Sequence, residues 1–335
     1  MVTLQDIALA VGVTPTTVAN ALKGRGNVSE ATRQRILKCA EELRYRPNML
    51  ARSLAQGKTY TLGFLLPTIA NPFYPEIAEA VERTANQHGY QMLLCNTLYD
   101  SALGQQHLDR LISRWIDGVI IMGSSMDISA ASMPFQQGLP TVLCDWQEDE
   151  VVGNFPQVSV DFRTAGRIAA QHLLDLGHHH LAIIVDEPQQ TLRLEGFCSA
   201  LQTAGLPLAT EMIEQGHSTL ESGYAAAQRL LALPTRPTAI FATTDWMALG
   251  TIEATLDAGL QVPQDLSVIG LDDIAISAHI RPPLTTVAVP KFQLAKEATE
   301  LLFGLIDETP DLPLSRLIEP TLVIRRSTTA HTTDD

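Results

Sequence analysis

Apolar residues recur at Leu4, Ile7, Ala8, Ala10 and Val11 in "LQDIALAV", the spacing of a short amphipathic helix. Thr3 stands before it as an N-cap, and Gly12-Val13 interrupts it with the backbone freedom of a tight turn. Thr14 caps a second helix and Pro15 takes its first position, where a missing N–H costs nothing. In that helix Val18 and Leu22 share one face with Ala21 beside them, while Thr16, Thr17 and Asn20 fall on other faces. Two short helices joined by so few residues form a helix-turn-helix pattern, with the motif at about 4–23. A third helix is predicted from Ser29, as N-cap, to about Tyr45. Its inward residues are Ile36, Leu37, Ala40 and Leu43, and Arg33, Arg35, Lys38 and Arg44 lie elsewhere on it.

From Leu62 the pattern changes. "TLGFLLP", "YQMLLCN", "DGVIIMG", "PTVLCD", "HLAIIVD", "PTAIFAT" and "LSVIGLDD" are short, nearly continuous apolar runs, as expected of buried parallel strands. Helical stretches at 74–88, 104–115, 164–176 and 192–204 lie between them. This alternation predicts a doubly wound α/β fold, and seven or more strands over this length require two sheets. In such sheets a ligand binds off the carboxyl ends of the strands. That rule selects Asn71, Phe73, Tyr74, Asp145, Thr244, Asp245 and Asp272.

A chain of 335 residues with 45% apolar and 18% charged residues fits a globular protein of two or three domains. No apolar run approaches a membrane span, and "MVTLQDIALAVG" carries no secretory pattern. Cys39, Cys95, Cys144 and Cys198 are scattered, which argues against a metal motif or disulfide framework and for a reduced, cytoplasmic protein. The net charge of −14 is uneven. Residues 1–60 hold nine Lys and Arg against four acids, whereas the remainder holds 14 against 33. A basic head on an acidic body predicts that the head meets a polyanion.

The second helix agrees with that expectation. Threonine and asparagine hydrogen-bond to base edges or phosphates, where glutamate would repel the backbone, and small side chains permit close approach to the groove floor. "VTLQDIALAVGVTPTTVANALKG" followed by "VSEATRQRILKCAEELRYRPNMLARSLAQGKTYTLGFLLP" closely resembles the LacI/GalR family of bacterial transcriptional regulators. The resemblance implies a helix-turn-helix domain at 1–46 and a hinge helix with linker at 47–59. An effector-binding and dimerisation domain follows at 60–335. It implies two Rossmann-like subdomains in the latter, as in periplasmic sugar-binding proteins, at about 60–158 plus 289–318 and 159–288 plus 319–328. DNA contact then falls to Thr3, Leu4, Thr14, Pro15, Thr16, Thr17, Asn20, Asn27, Ser29 and Tyr45 in the head. In the hinge it falls to Asn48, Ala51 and Leu54, with Leu54 as the minor-groove wedge beside Leu50, Ala51 and Arg52.

The same resemblance makes Arg193 a grip on a ligand hydroxyl or carboxylate, and Asp145 and Asp272 acceptors for ligand hydroxyls. It makes Phe73-Tyr74 an aromatic pair on the ligand face. Two departures bear on the effector. Thr244 stands before Asp245-Trp246-Met247-Ala248 where relatives have asparagine, and His217-Ser218 stands where many have aspartate and an aromatic residue. Loss of that stacking platform makes room for a polar or acidic ligand, so a sugar, sugar acid or sugar phosphate effector is expected, with Ser218 among its contacts and a purine- or nucleoside-responsive regulator of the same family as the alternative. The run His178 to His180 is a poor metal site, because adjacent residues cannot all face one ion. No phosphate-binding glycine loop or nucleophile–base constellation occurs, so neither cofactor nor enzymatic chemistry is expected. The reading is a homodimeric repressor that places two recognition helices in successive major grooves of a pseudo-palindromic operator under small-molecule control. A transport-type binding protein and an α/β enzyme are the rival classes. The first lacks its signal sequence and does not need the basic head, and the second lacks a catalytic constellation.

Overall fold

The computed structural model describes residues 2–45, 57–123, 126, 128–146, 155–186 and 190–331. The expected hinge contacts Asn48, Ala51 and Leu54 lie outside the described residues. Contacts divide the chain into two compact units, Met1–Thr59 and Tyr60–Asp335.

The first unit holds three helices, α1 (Leu4–Val11), α2 (Pro15–Leu22) and α3 (Glu30–Glu42). Each starts at the cap its sequence supplies. Thr3 and Asp6 form a reciprocal capping box, Thr14 accepts from the Thr17 N–H, and Ser29 accepts from the Thr32 N–H. Gly12 takes a left-handed φ of 75° and returns its N–H to the Ala8 carbonyl, which ends α1 and opens the turn. Ile7, Ala8, Val11, Val18, Ala21, Ile36 and Ala40 form the small core. Two inward expectations for α3 fail. Leu37 and Leu43 are exposed, because Ile36 and Ala40 define the buried stripe and Cys39 completes it, leaving Leu37 and Leu43 on its flanks. The helix also stops at Glu42, short of Tyr45, which packs against the core from outside it.

The second unit contains two six-stranded sheets. In chain order the first part reads β1 (Thr61–Leu66), α4 (Phe73–Gln87), β2 (Gln91–Asn96), α5 (Ser101–Ser113), β3 (Gly118–Met122), α6 (Ile128–Gln136), β4 (Thr141–Cys144) and β5 (Gln157–Val160). The chain crosses to α7 (Phe162–Asp175), β6 (Leu181–Val185), α8 (Thr191–Thr203), β7 (Ile213–Gln215), α9 (Leu220–Leu231), β8 (Ala239–Ala242), α10 (Asp245–Asp257), β9 (Ser267–Asp272) and β10 (Thr285–Ala288). It returns for α11 (Lys291–Ile306) and β11 (Ser315–Ile318), then crosses once more to β12 (Thr321–Val323). The orders are β11-β5-β4-β3-β1-β2 and β12-β10-β9-β8-β6-β7, parallel throughout except where β12 pairs with β10. All seven apolar runs become strands. The other five are short, and the sheet positions explain their weak signal: β7, β11 and β12 are edges, and β5 and β10 lie next to edges. Side-chain caps also start two helices earlier than apolar spacing alone indicates. Asp100 accepts from Ala102 and Leu103 at the head of α5, and Asp161 accepts from Thr164 at the head of α7.

Two glycine pairs draw the helices of the second sheet together. A Cβ on Gly166 of α7 would lie 2.1 Å from the Arg193 carbonyl, and one on Gly196 of α8 would lie 2.0 Å from the Arg163 carbonyl. Gly223 of α9 and Gly250 of α10 make the same close crossing, with would-be contacts of 2.2 and 2.0 Å to backbone. Only hydrogen fits at these positions.

Candidate ligand cleft and recognition face

Both sheets reverse their winding direction, between β1 and β3 in one and between β6 and β8 in the other. Loops at the carboxyl ends beside such a reversal diverge and leave a crevice. Asn71, Phe73 and Tyr74 follow β1, Asp145 and Trp146 follow β4, Asp186 follows β6, Thr243 and Thr244 follow β8, and Asp272 ends β9.

Arg193, in the first turn of α8, is 3% exposed. One terminal N–H donates to the Thr243 carbonyl at 2.8 Å, and the guanidinium carbon sits 4.2 Å above the Phe162 ring centre. Its Nε finds no partner among the described residues, and the same is true of Asp145 Oδ1, Asp272 Oδ1 and Trp146 Nε1. Buried polar atoms are almost always hydrogen-bonded, so the three orphans on Arg193, Asp145 and Asp272, which share one electrostatic field, mark a place for a polar ligand, whereas Trp146 packs into the cluster of Leu65, Leu108 and Phe155.

The electrostatics place these groups in one field. Burial pushes Asp145 up to about 7, opposed by the Arg193 charge, and drives Asp272 well above the carboxylate range against the same guanidinium. Asp186 is raised by burial and is pulled back by its Ser218 hydrogen bond, then by His217 and Arg193. Burial likewise raises Tyr74 and Tyr99, whose hydroxyls hydrogen-bond to each other and sense Asp272. Three carboxylates therefore share the crevice with one guanidinium. Burial holds protons on Asp145 and Asp272, so the pair presents carboxyl oxygens and O–H groups to a ligand beside the Arg193 guanidinium.

A second layer holds the wall carrying Arg193. Thr243 Oγ1 donates to the Ile184 carbonyl at 3.0 Å and also contacts Gln190 Oε1. Gln190 Nε2 donates to Ser218 Oγ at 2.9 Å, and Ser218 donates to Asp186 Oδ2 at 2.9 Å. Ser218, in a left-handed backbone at φ 53°, is thus committed to this chain. The Thr244 hydroxyl caps α10 by accepting from the Met247 N–H at 3.2 Å, a bond that does not use its own O–H. Phe73 fills the core beneath the site and meets Tyr74 edge-on, with ring centres 5.4 Å apart. The Asn71 side chain accepts the Phe73 N–H at 3.0 Å and shapes the turn. Asp245 is a brace, fully buried and receiving Ser277 at 2.6 Å, Thr286 at 2.5 Å and the Ile274 N–H at 3.0 Å. Burial raises it to about 6 against those three donors.

Sequence reasoning missed Asp186, Gln190, Tyr99 and Thr243. Asp186 ends the quoted run "HLAIIVD", so the strand-end rule itself reaches it. Tyr99 and Gln190 carry no such signal, because loop conformation brings them in.

The histidine run is structural at its first member. His178 is buried and bonds Thr238 Oγ1 at 2.9 Å, Ser267 Oγ at 3.1 Å and the Thr329 carbonyl at 3.0 Å. Among the described residues no cluster of three or more His, Cys, Asp or Glu is placed to hold a metal ion, and no helix is long and apolar enough to cross a membrane.

In the first unit α2 exposes Thr16, and Thr17 and Asn20 are half-buried. Thr17 shares a 2.9 Å hydroxyl contact with Thr14. Asn20 lies against Gly26, whose absent Cβ would stand 3.2 Å from the amide nitrogen. Asn27 is exposed. Thr3, Thr14 and Ser29 present their hydroxyls at helix starts, each already accepting one backbone N–H, while Leu4 packs at the core margin.

Residues 3–48 match the family model described as bacterial regulatory proteins, lacI family, and residues 170–328 match that of a periplasmic binding protein-like domain. The ribose operon repressor of Escherichia coli (strain K12) is 36% identical over 332 residues, covering 98% of this chain and 100% of its own length. The solved lac repressor dimer bound to operator and an anti-inducer superposes with a TM-score of 0.89 at 26% identity, covering 98% of this chain and 99% of its own. A regulator of the same family from Enterococcus faecium, solved with bound ribose, is 30% identical with a TM-score of 0.73, over 81% of this chain and 100% of its own.

Proposed function

The chain belongs to the LacI family of bacterial regulatory proteins, and from that premise we propose a homodimeric repressor whose operator affinity is set by a neutral polyhydroxyl effector of pentose type. Its role as a DNA-binding transcriptional regulator follows from the family. The effector reading rests on one observation: two aspartate oxygens and a guanidinium nitrogen stand buried and unpartnered beside one another's charge. Sugar hydroxyls exchange hydrogen bonds with Asp145 and Asp272 and accept from Arg193, so each orphan gains the partner that burial demands. The relative solved with ribose supports the class.

The division of labour follows the family plan. Residues 1–46 read DNA through α2, residues 47–59 supply a hinge helix with Asn48, Ala51 and Leu54 at the minor groove, and residues 60–335 bind effector and dimerise in the cytoplasm. Effector binding alters the relation of the two sheets and hence the spacing of the heads. DNA and effector then change each other's affinity by one common factor.

The test is a gel shift with DNA from upstream of the protein's own gene, titrated with salt and with D-ribose, D-ribose 5-phosphate and D-gluconate. Log affinity falls steeply with log salt, with a slope on the order of −6 for two heads. D-Ribose shifts the affinity and the two anions do not. A flat salt response rejects the DNA-binding head, and a response to the anions alone rejects the neutral effector.

A further inference from the structure

Asp272 ends β9 directly beside Ala288, the last residue of β10, and α11 begins three residues later at Lys291. The Lys291 side chain is only 12% exposed. Its ammonium donates to the backbone carbonyls of Asp272 at 2.7 Å and Asp273 at 2.6 Å. The backbone there is unusual: Asp272 has φ 122° and Asp273 φ 55°, two successive left-handed residues without a glycine. Such conformations persist only where surrounding contacts over-determine them, and they concentrate at ligand clamps. Asp273 is held from its other side by Arg325, 2.5 Å from Oδ1, which also donates to the Leu284 carbonyl at 2.8 Å. Asp272 Oδ1, by contrast, is buried with no hydrogen-bond partner.

The third partner of Lys291 comes from the other sheet's layer. Glu76, in the first turn of α4, places Oε2 3.3 Å from the ammonium, and its Oε1 accepts the Ala275 N–H at 2.9 Å. One carboxylate and one ammonium thus fasten the 272–275 turn of the second sheet to a helix of the first. Two of the three ammonium donors are spent on carbonyls, and the Glu76 carboxylate pairs with its charge. Lys291 acts here by holding.

We propose that Lys291 and Glu76 are positioning residues for the effector: they fix the left-handed turn that aims the Asp272 carboxylate into the cleft and tie that turn to α4, so that loading Asp272 is felt by the opposite subdomain. The inference rests on the cleft being the effector site. A ligand hydroxyl drawn to Asp272 pulls on a turn whose carbonyls and N–H groups are already gripped from α11 and α4. The pull is transmitted where a free loop would absorb it.

The test uses the full chain with Lys291→Met, Lys291→Arg and Glu76→Ala. Without ligand, amide exchange is read by mass spectrometry over 272–278. Exchange is at least tenfold faster in Lys291→Met and Glu76→Ala, within threefold of wild type in Lys291→Arg, and unchanged in α8. Thermal-shift titration then uses D-ribose, adenosine and cytidine. The ligand that stabilises wild type is needed at tenfold or higher concentration by Lys291→Met, and at near wild-type concentration by Lys291→Arg. Unaltered exchange in both disruptive variants overturns the proposal. Faster exchange with an unshifted titration also overturns it, leaving the pair a structural tie alone. If Lys291→Met loses its folded circular dichroism, Glu76→Ala decides. If no ligand stabilises wild type, the effector class fails instead, and exchange over 272–278 alone decides whether the pair positions the turn.

Discussion

Replacing Asp145 with asparagine separates what the cleft costs from what it does. Asp145 is 1% exposed, has one oxygen without a partner, and keeps its proton up to about pH 7, whereas an ordinary aspartate has 3.8. Between those two values the folded chain binds more protons than the unfolded chain, so stability falls as pH rises from about 4 to about 7 and is level above that. At about 1.4 kcal/mol per pH unit the full gap comes to about 4 kcal/mol, and at pH 5 roughly 1.6 kcal/mol of it has accrued. Asparagine carries no charge and tolerates the left-handed backbone, φ 56°, that this position requires. Asp145→Asn is therefore expected to be more stable than wild type by up to about 4 kcal/mol at pH 8, with a gain shrinking toward roughly 1.6 kcal/mol at pH 5. In thermal melts that is a rise of roughly 8 °C at pH 8. Effector affinity moves the other way, because a charged acceptor worth about 1.5–3 kcal/mol is lost. A variant less stable than wild type at pH 8, or one whose gain is equal at both pH values, refutes the claim that an ionised, unpartnered carboxylate sits in the free cleft.

Gly196→Ala forces a methyl group against the Arg163 carbonyl and is expected to cost on the order of 1–3 kcal/mol while displacing Arg193 and weakening effector binding. Gly205→Ala is the control: it faces open space at φ 73°, so a melt should show only backbone strain and the effector response should survive. Asn20→Arg is expected to move base preference at one symmetric pair of operator positions from A·T toward G·C by roughly 1–3 kcal/mol, read by operator randomisation. A uniform change in affinity there shows that Asn20 touches only phosphate.

Legibility followed physical cause. Thr3, Thr14 and Ser29 announced their helices because capping is local chemistry, readable within four residues. Six of the seven visible strands are buried on both faces, which leaves little but apolar residues, and the edge strand β2 shows itself by the run Met92-Leu93-Leu94-Cys95. β7, β11 and β12 are edge strands of three or four residues with polar positions, too short to stand out. In the cleft, strand ends and resemblance together point to Asp145 and Asp272, and resemblance alone points to Arg193. At Thr244 a helix cap and a ligand contact ask for the same residue type at the same place, and its hydroxyl caps α10. Gln190 and Tyr99 owe their positions to loops, and Lys291 to an ammonium reaching back across a crossover. No periodicity records either.

The interleaving of the two sheets bears on the order in which the protein can be made. β11, which pairs with β5, and β12, which pairs with β10, both come from residues 315–323, and Ser327 and Thr329 then bond to Val268 and Ser267 at the start of β9. A nascent chain that has emerged only as far as residue 290 holds two unfinished sheets, each with an open edge. The head needs nothing beyond its own three helices for its core and is free to fold at once. During synthesis there is thus an interval in which a DNA-reading surface exists before the part that governs it.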